Sequence, residues 1–293
     1  MANMRILYNN IVDLATTTLT GSSSASGGTG ASNMKLDTKS KVWRSGTTTH
    51  AIILATFSST TPAAVVLPLC NLTSTATIRV IGYSSAPTLT GTVGSPTITG
   101  GTSVFDTGVI DACPYTSVGY WDWTSTTNVN MYAYGGGTCA RVYIPENIRT
   151  ACTSITVDIV DSANTYNYVE VSRLLIGPIW EPTFNTSFGL STATEDLSSS
   201  KRTVSGDLGT VIAPRFDTLT FDLKYMDIED RVQATRILKG NGKARPMFVS
   251  VFPEDEVPEK EQAHQLYGKL ADSFSISHPI FEMYSTQVKL EGV

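Results

Sequence analysis

The sequence predicts a mainly β protein: an N-terminal jelly-roll β-sandwich followed by a smaller β-rich module with one helix. Three observations carry this. Short apolar clusters bounded by Thr, Ser, Gly and Pro recur over the first part of the chain: Leu7, Val12 and Leu14; His50–Phe57; Ala63–Leu69; Thr77–Gly82; and Ile155–Val160. Charged residues make up only 16% of the 293 residues, against about 25% in an average globular chain, and Thr, Ser and Gly fill the difference. Beyond Val169–Trp180 (Val-Glu-Val-Ser-Arg-Leu-Leu-Ile-Gly-Pro-Ile-Trp) charge concentrates and one helical period emerges. The expected domains are therefore residues 1–180 and 181–293.

Within the sandwich, Arg5–Leu14 reads as the first strand. Thr16–Ser32 is a low-complexity run of Thr, Ser, Gly and Ala with little apolar area to bury, which predicts an exposed loop. Lys41-Val-Trp-Arg-Ser leads to the strand His50–Phe57, and Ala63–Leu69 and Thr77–Gly82 read as antiparallel partners across a turn at Cys70-Asn-Leu-Thr. Ser84–Asn130 reads as a long Gly-, Pro-, Ser- and Thr-rich insertion at one end, punctuated by Phe105, Tyr115, Tyr120, Trp121 and Trp123. Strands follow at Thr138–Ile144 and Thr153–Asp161; in the second, Ile155, Val157 and Ile159 face opposite to Thr156, Asp158 and Val160. Asn164-Thr-Tyr-Asn then predicts a hairpin turn, with Tyr168–Ile176 returning.

The second module opens with a linker, Glu181–Leu190, then a hairpin over Ser198–Gly209 and a strand over Arg215–Leu223. From Met226 to Leu238 the spacing of Ile228, Val232, Thr235 and the Ile237/Leu238 pair predicts an amphipathic helix. Asp227, Glu229 and Asp230 complement its N-terminal dipole, and Gly240 and Gly242 end it. Pro246–Pro253 brackets a buried strand, Glu254–Gln262 reads as a solvated acidic loop, and His264–Leu270 and Tyr284–Val293 are closing strands.

The bulk chemistry excludes several function classes. A net charge of −5 and a pI near 5.2 argue against nucleic-acid binding, which draws most of its affinity from basic contacts to phosphate. No run of apolar residues is long enough to span a membrane, and the N-terminus lacks the basic start and apolar centre of a signal peptide. Cys70, Cys113, Cys139 and Cys152 are widely spaced, without a Cys-x-x-Cys pair, and His50, His264 and His278 lie far from them, so no metal site is expected. The cysteines read as reduced, half-buried small residues, with a Cys113–Cys139 disulfide open in an oxidising setting.

Catalysis finds no footing in the sequence. Gly-x-Ser-x-Gly, His-Glu-x-x-His and phosphate-loop motifs are absent, bases are scarce, and Asp122 between Trp121 and Trp123 is the one acid in a site-like setting. No cofactor is expected. The densest aromatic cluster, Tyr120, Trp121 and Trp123, has two readings: a plug for the open end of the sandwich, or a platform that stacks on a sugar or anchors a partner protein.

Two stretches carry a resemblance. Met4-Arg-Ile-Leu-Tyr-Asn-Asn-Ile-Val-Asp-Leu-Ala-Thr-Thr-Thr-Leu-Thr with Lys41-Val-Trp-Arg-Ser resembles the start of discoidin-like (galactose-binding-like) domains of tailed-phage structural proteins. Gly242-Lys-Ala-Arg-Pro-Met-Phe-Val-Ser-Val-Phe-Pro-Glu through Leu266-Tyr-Gly-Lys-Leu and the final strand is similar to modules of phage tail-tip and distal tail proteins. The resemblance implies a structural virion protein, made in the host cytoplasm and placed at the distal tail or baseplate. There it would form a hexameric or trimeric ring joining tube to tip or fibres, with tube, hub, fibre and tape-measure proteins as neighbours. The order of the modules departs from the usual distal tail layout, in which the tube-like module comes first. The alternative is a carbohydrate-binding module that reads host surface glycans through Tyr120, Trp121 and Trp123.

Overall fold

In the stretch Cys152–Val160, Ile155, Val157 and Ile159 are fully buried, so the period of two legible in the sequence is the one the fold uses. The computed structural model describes residues 3–25, 27–113 and 138–293. They fall into two compact units, one from residues 7–113 and 138–179 and the other from residues 3–6 and 180–293.

Strand β1 (Arg5–Leu7) opens the chain and joins the sheet of the second unit. The first unit then runs β2 (Thr18–Gly21), β3 (Trp43–Arg44), β4 (Ala51–Thr60), β5 (Ala64–Cys70), β6 (Thr77–Ser85), β7 (Thr88–Thr92), β8 (Ser95–Thr99) and β9 (Thr102–Asp111). It continues with β10 (Thr138–Tyr143), β11 (Cys152–Val160), β12 (Glu170–Val171) and β13 (Leu175–Gly177). One five-stranded sheet has the order β2-β4-β11-β6-β9; the other has β10-β5-β12-β3, with β13 also on β5. A single apolar core joins them, with Ile53, Val80, Val157 and Ile159 from the first sheet and Trp43, Leu67, Val142 and Val171 from the second. The unit is thus a β-sandwich. Strand β4 is buried on both faces over Ala51–Ala55, which is why it reads as an uninterrupted Ala-Ile-Ile-Leu-Ala.

Several sequence expectations are corrected here. The first strand stops at Leu7, because Asn10 caps a 3-10 turn at Ile11–Asp13 with its Oδ1 accepting from Val12 N–H at 3.2 Å. The low-complexity run is partly ordered sheet. Thr18–Gly21 pairs with β4, and Ser22 and Ser23 accept backbone N–H bonds from Ile52 (3.0 Å) and Gly46 (2.9 Å). Strands β5 and β6 are not partners: they lie in different sheets, and the turn between them crosses the sandwich. The turn after β11 makes the same kind of crossing, so Tyr168–Ile176 does not pair back onto β11. Part of the presumed insertion is core, since β9 extends the first sheet and Phe105 lies across from Gly82, where a Cβ would come within 2.1 Å of its ring.

The second unit continues with β14 (Ile179–Trp180), β15 (Ser191–Asp196), β16 (Ser199–Arg202), β17 (Leu208–Val211), β18 (Arg215–Met226), α1 (Ile228–Asn241), β19 (Met247–Ser250), α2 (Pro258–Ala263), β20 (Gln265–Leu270), β21 (Ile276–Ile280) and β22 (Met283–Gly292). Its sheet has the order β14-β1-β19-β20-β22-β18-β15, with β21 on β22. Asp227 caps α1 by accepting from Asp230 N–H at 2.7 Å, and Gly242 (φ 51°) ends it.

The helix buries the Ile237/Leu238 pair that its spacing predicts but not Ile228 and Val232 from the same predicted face. Asp230, Ala234, Ile237, Leu238 and Asn241 are buried, whereas Ile228 and Val232 are 53% and 57% exposed. Asp230 takes the inward position because its carboxylate receives Thr183 N–H at 3.0 Å, holding the linker. The acidic stretch is also more than a solvated loop. It contains α2, and buried Glu261 accepts from Ser250 Oγ (3.1 Å) and Glu254 N–H (2.9 Å). No helix among the described residues is long and apolar enough to cross a membrane.

Candidate functional site

The loops joining β3 to β4, β5 to β6 and β11 to β12 meet at one end of the sandwich. Their order comes from short polar side chains standing in for strand partners. Asn71 donates from Nδ2 to Tyr168 O (3.0 Å) and accepts Glu170 N–H at Oδ1 (2.7 Å), while Ser45 accepts Val169 N–H at Oγ (2.8 Å). The segment Tyr168–Glu170 is therefore clamped from both sides. Fully buried Asp161 ties the loops to one another: it accepts from Thr73 N–H (2.9 Å), Thr73 Oγ1 (2.5 Å) and Asn164 Nδ2 (3.1 Å). Asn164 in turn donates to Asn71 O (3.1 Å) and accepts Tyr166 N–H (3.0 Å). Asn167, at φ 62°, supplies the left-handed residue that this turn requires.

On this framework sits a group of charged and aromatic side chains. The Arg44 guanidinium lies 5.0 Å from the Tyr168 ring centre and pairs with the Glu170 carboxylate; its side chain is 37% exposed and that of Glu170 only 9%. Tyr166 packs tilted against Tyr168 at 5.9 Å, and its hydroxyl is buried without a hydrogen-bond partner among the described residues. Separately, exposed His50, just before β4, meets Asp158 of β11 in the other sheet through Nδ1 at 3.0 Å. The arrangement offers a planar cation, an acceptor and flat rings in one half-exposed patch, the combination that recognises a polar ligand with apolar faces.

Of the side chains singled out in the sequence, Tyr120, Trp121 and Trp123 lie outside the described residues, as does Asp122. The described residues that border their segment are Cys113 and Thr138, and the Cα of Thr138 is the register partner of Cys70, next to Asn71. The sequence reading missed Arg44, Tyr168 and Glu170 as a group. Arg44 and Glu170 stand in two separate stretches of the sequence, and nothing local links residues 126 positions apart. Among the described residues no group of three or more His, Cys, Asp or Glu is placed to hold a metal ion.

No protein-family model matches the chain, and no curated protein is significantly similar to it. Among solved structures it is similar to chitosan-binding module 1 of a chitosanase/glucanase from Paenibacillus sp. IK-5, at 17% identity and a TM-score of 0.36, covering 58% of this chain and 100% of that one. It is also similar to CpGH89CBM32-5 from Clostridium perfringens, in complex with GalNAc-β-1,3-galactose, at 7% identity and a TM-score of 0.34 over 58% and 100% of the two chains. A fucolectin from the serum of striped bass, Morone saxatilis, matches at 11% identity and a TM-score of 0.36 over 97% and 98%.

Proposed function

We propose that the chain is a non-catalytic glycan-binding protein whose sandwich presents the Arg44–Tyr168–Glu170 patch to a surface saccharide, with Tyr120, Trp121 and Trp123 as further candidate contacts. The observation that carries this reading is the patch itself: a half-exposed guanidinium stacked on a tyrosine and held by a carboxylate, on a rim cross-linked by Asn71 and Asp161. Sugars need both elements, aromatic faces for their C–H surfaces and rigid charged groups for their hydroxyls. A glycan array followed by titration tests it. Arg44→Ala, Tyr168→Ala and the Trp121→Ala, Trp123→Ala double variant should each weaken binding of the captured glycan about 10–100-fold, the loss of one charged hydrogen bond or stacking contact. An array on which the intact chain retains no glycan, or rim variants that bind unchanged, would overturn the proposal.

A second reading, the virion ring protein, draws on a separate observation. Strand β15 and the hairpin β16–β17 are exposed at every residue, and Phe188, Leu197, Val204, Leu208, Val211 and Ile212 are large apolar side chains left in solvent around them. A two-stranded hairpin in water is marginal at best, so burial against a further chain would stabilise it. On this reading the intact chain elutes as an oligomer by size exclusion with light scattering, and deletion of residues 198–213 returns it to a single protomer. Equal masses for the two would remove its support.

A further inference from the structure

The hairpin β7–β8 forms no ladder with any other described strand, yet both of its ends are held. At its root it leaves β6 at Ser85 and returns to β9 at Thr102, whose N–H donates to Ser85 Oγ at 3.1 Å. Gly101, at φ 74°, makes this bend, and a Cβ there would come within 2.9 Å of Ser85 O. At its tip, a Cβ on Gly46 would come within 3.1 Å of Val93 Cγ1, and one on Gly94 would lie 3.8 Å from Thr47 Oγ1. Loop 46–49 feeds the Ala51 end of β4, whereas the hairpin departs beside the end where Tyr83 and Thr56 both pair with Ser154. The hairpin therefore doubles back along the first sheet. Its alternation agrees: Leu89, Pro96 and Ile98 are half-buried on one face, and the Thr and Ser residues of the other face are exposed.

The loop that the tip touches runs directly into the candidate patch. Gly46 N–H donates to Ser23 Oγ at 2.9 Å, so Gly46 stands between Ser23 and Val93. Its neighbour Ser45 holds Val169 twice, with its N–H donating to Val169 O at 2.9 Å and its Oγ accepting Val169 N–H at 2.8 Å. The Ser45 hydroxyl also donates to Thr47 O, so a shift of the loop moves the group that clamps Val169. Glu170 follows, and its carboxylate holds the Arg44 guanidinium. From Val93 to Arg44, every step is a direct contact or a peptide bond.

We propose that the β7–β8 hairpin is a positioning strap for the saccharide patch, a role that rests on Arg44, Tyr168 and Glu170 being the saccharide contacts. Val93 bears on Gly46 and limits the travel of loop 46–49. Ser45 passes that restraint to Val169, and Glu170 passes it to Arg44. A saccharide then meets a guanidinium already in place, without the ordering cost that a mobile loop adds to binding. Val93 is 61% exposed, so it acts through where it sits and contributes little to the core.

The test compares Val93→Gly, Gly46→Val and the swapped double variant, which keeps one valine across the contact. Each single change should weaken the glycan captured on the array by about 3–10-fold, and the swap should recover most of that loss. The thermal midpoint of Val93→Gly should stay within about 2 °C of the parent, as an exposed side chain predicts. Amide hydrogen exchange at Ser45 and Val169, measured without glycan, should quicken about 10-fold in Val93→Gly and slow again in the swap. If no glycan is captured, the reading of the patch fails, and the exchange rates alone decide for or against the strap. Unchanged affinity and exchange in Val93→Gly overturn the proposal, as does a swap that stays as weak as either single variant.

Discussion

Replacing Trp43 by alanine is expected to destabilise the sandwich by about 3–5 kcal/mol, the usual cost of emptying a buried indole site. Trp43 is fully buried on β3 in the core shared by both sheets, and Nε1–H donates to Ser23 O at 2.9 Å. The ring also fills a slot left by Gly21, where a Cβ would come within 2.6 Å of Nε1. The indole therefore fastens the small-residue run to the core as well as filling volume. Trp43→Phe should recover much of the loss, leaving the Ser23 carbonyl without its donor at about 1 kcal/mol. Urea unfolding followed by circular dichroism measures both. A Trp43→Ala variant within 1 kcal/mol of the parent would show that the indole is not the anchor.

The second large effect is expected at Arg173, whose side chain is 4% exposed. Its guanidinium donates to Met34 O (3.3 Å), to Lys35 O and to Asp13 Oδ1 (2.6 Å), gathering the 3-10 turn at Ala31–Lys35 and the one at Ile11–Asp13. Arg173→Leu keeps apolar volume but takes the guanidinium from Lys35 O and leaves Met34 O with only the Leu174 N–H at 3.4 Å, at a cost of about 2–4 kcal/mol. The Asp13 share is discounted, since that side chain is 42% exposed and regains water.

The pH dependence of this deficit has a definite sign. Asp13 is raised above its ordinary value chiefly by burial, against the attraction of Arg173, so its charged form already costs the folded state stability above the unfolded pKa. Removing Arg173 raises it further, which enlarges that cost at neutral pH. The deficit of the variant should therefore shrink as the pH falls through the carboxylate range and Asp13 becomes protonated. A deficit that grows on acidification would exclude this account. The comparison is made on the unfolding transition of the sandwich at two pH values.

How much of this was legible in the sequence depends on the range of the contacts involved. Ile155, Val157 and Ile159, the continuous Ala51–Ala55 run and the acidic start of α1 were readable, because alternation, strand runs and end charges are set by residues a few positions apart; that Asp227 is the cap itself was not. The face of α1 was not. Its apolar spacing pointed to Ile228, Val232 and the Ile237/Leu238 pair, but only the pair is buried, and Asp230 takes an inward position where it accepts Thr183 N–H. The order of Thr16–Ser32 was likewise hidden, since its stability comes from hydroxyls bonding to the edge of β4 and from an indole twenty residues downstream. Glu254–Gln262 read as solvated because charge density does not reveal that Glu261 accepts from Ser250 and Glu254.

The sequence by itself determined where most strands run, which of their residues face inward, and the low charge that disfavours nucleic acid; each follows from local composition or a two-residue period. Only the tertiary structure decided that β5 and β6 belong to opposite sheets and that Arg44 meets Tyr168 and Glu170. An alternating strand carries no mark of which neighbour it will pair with. That choice is made by closure of the sandwich around one core, which brings together side chains whose separation along the chain exceeds any local signal.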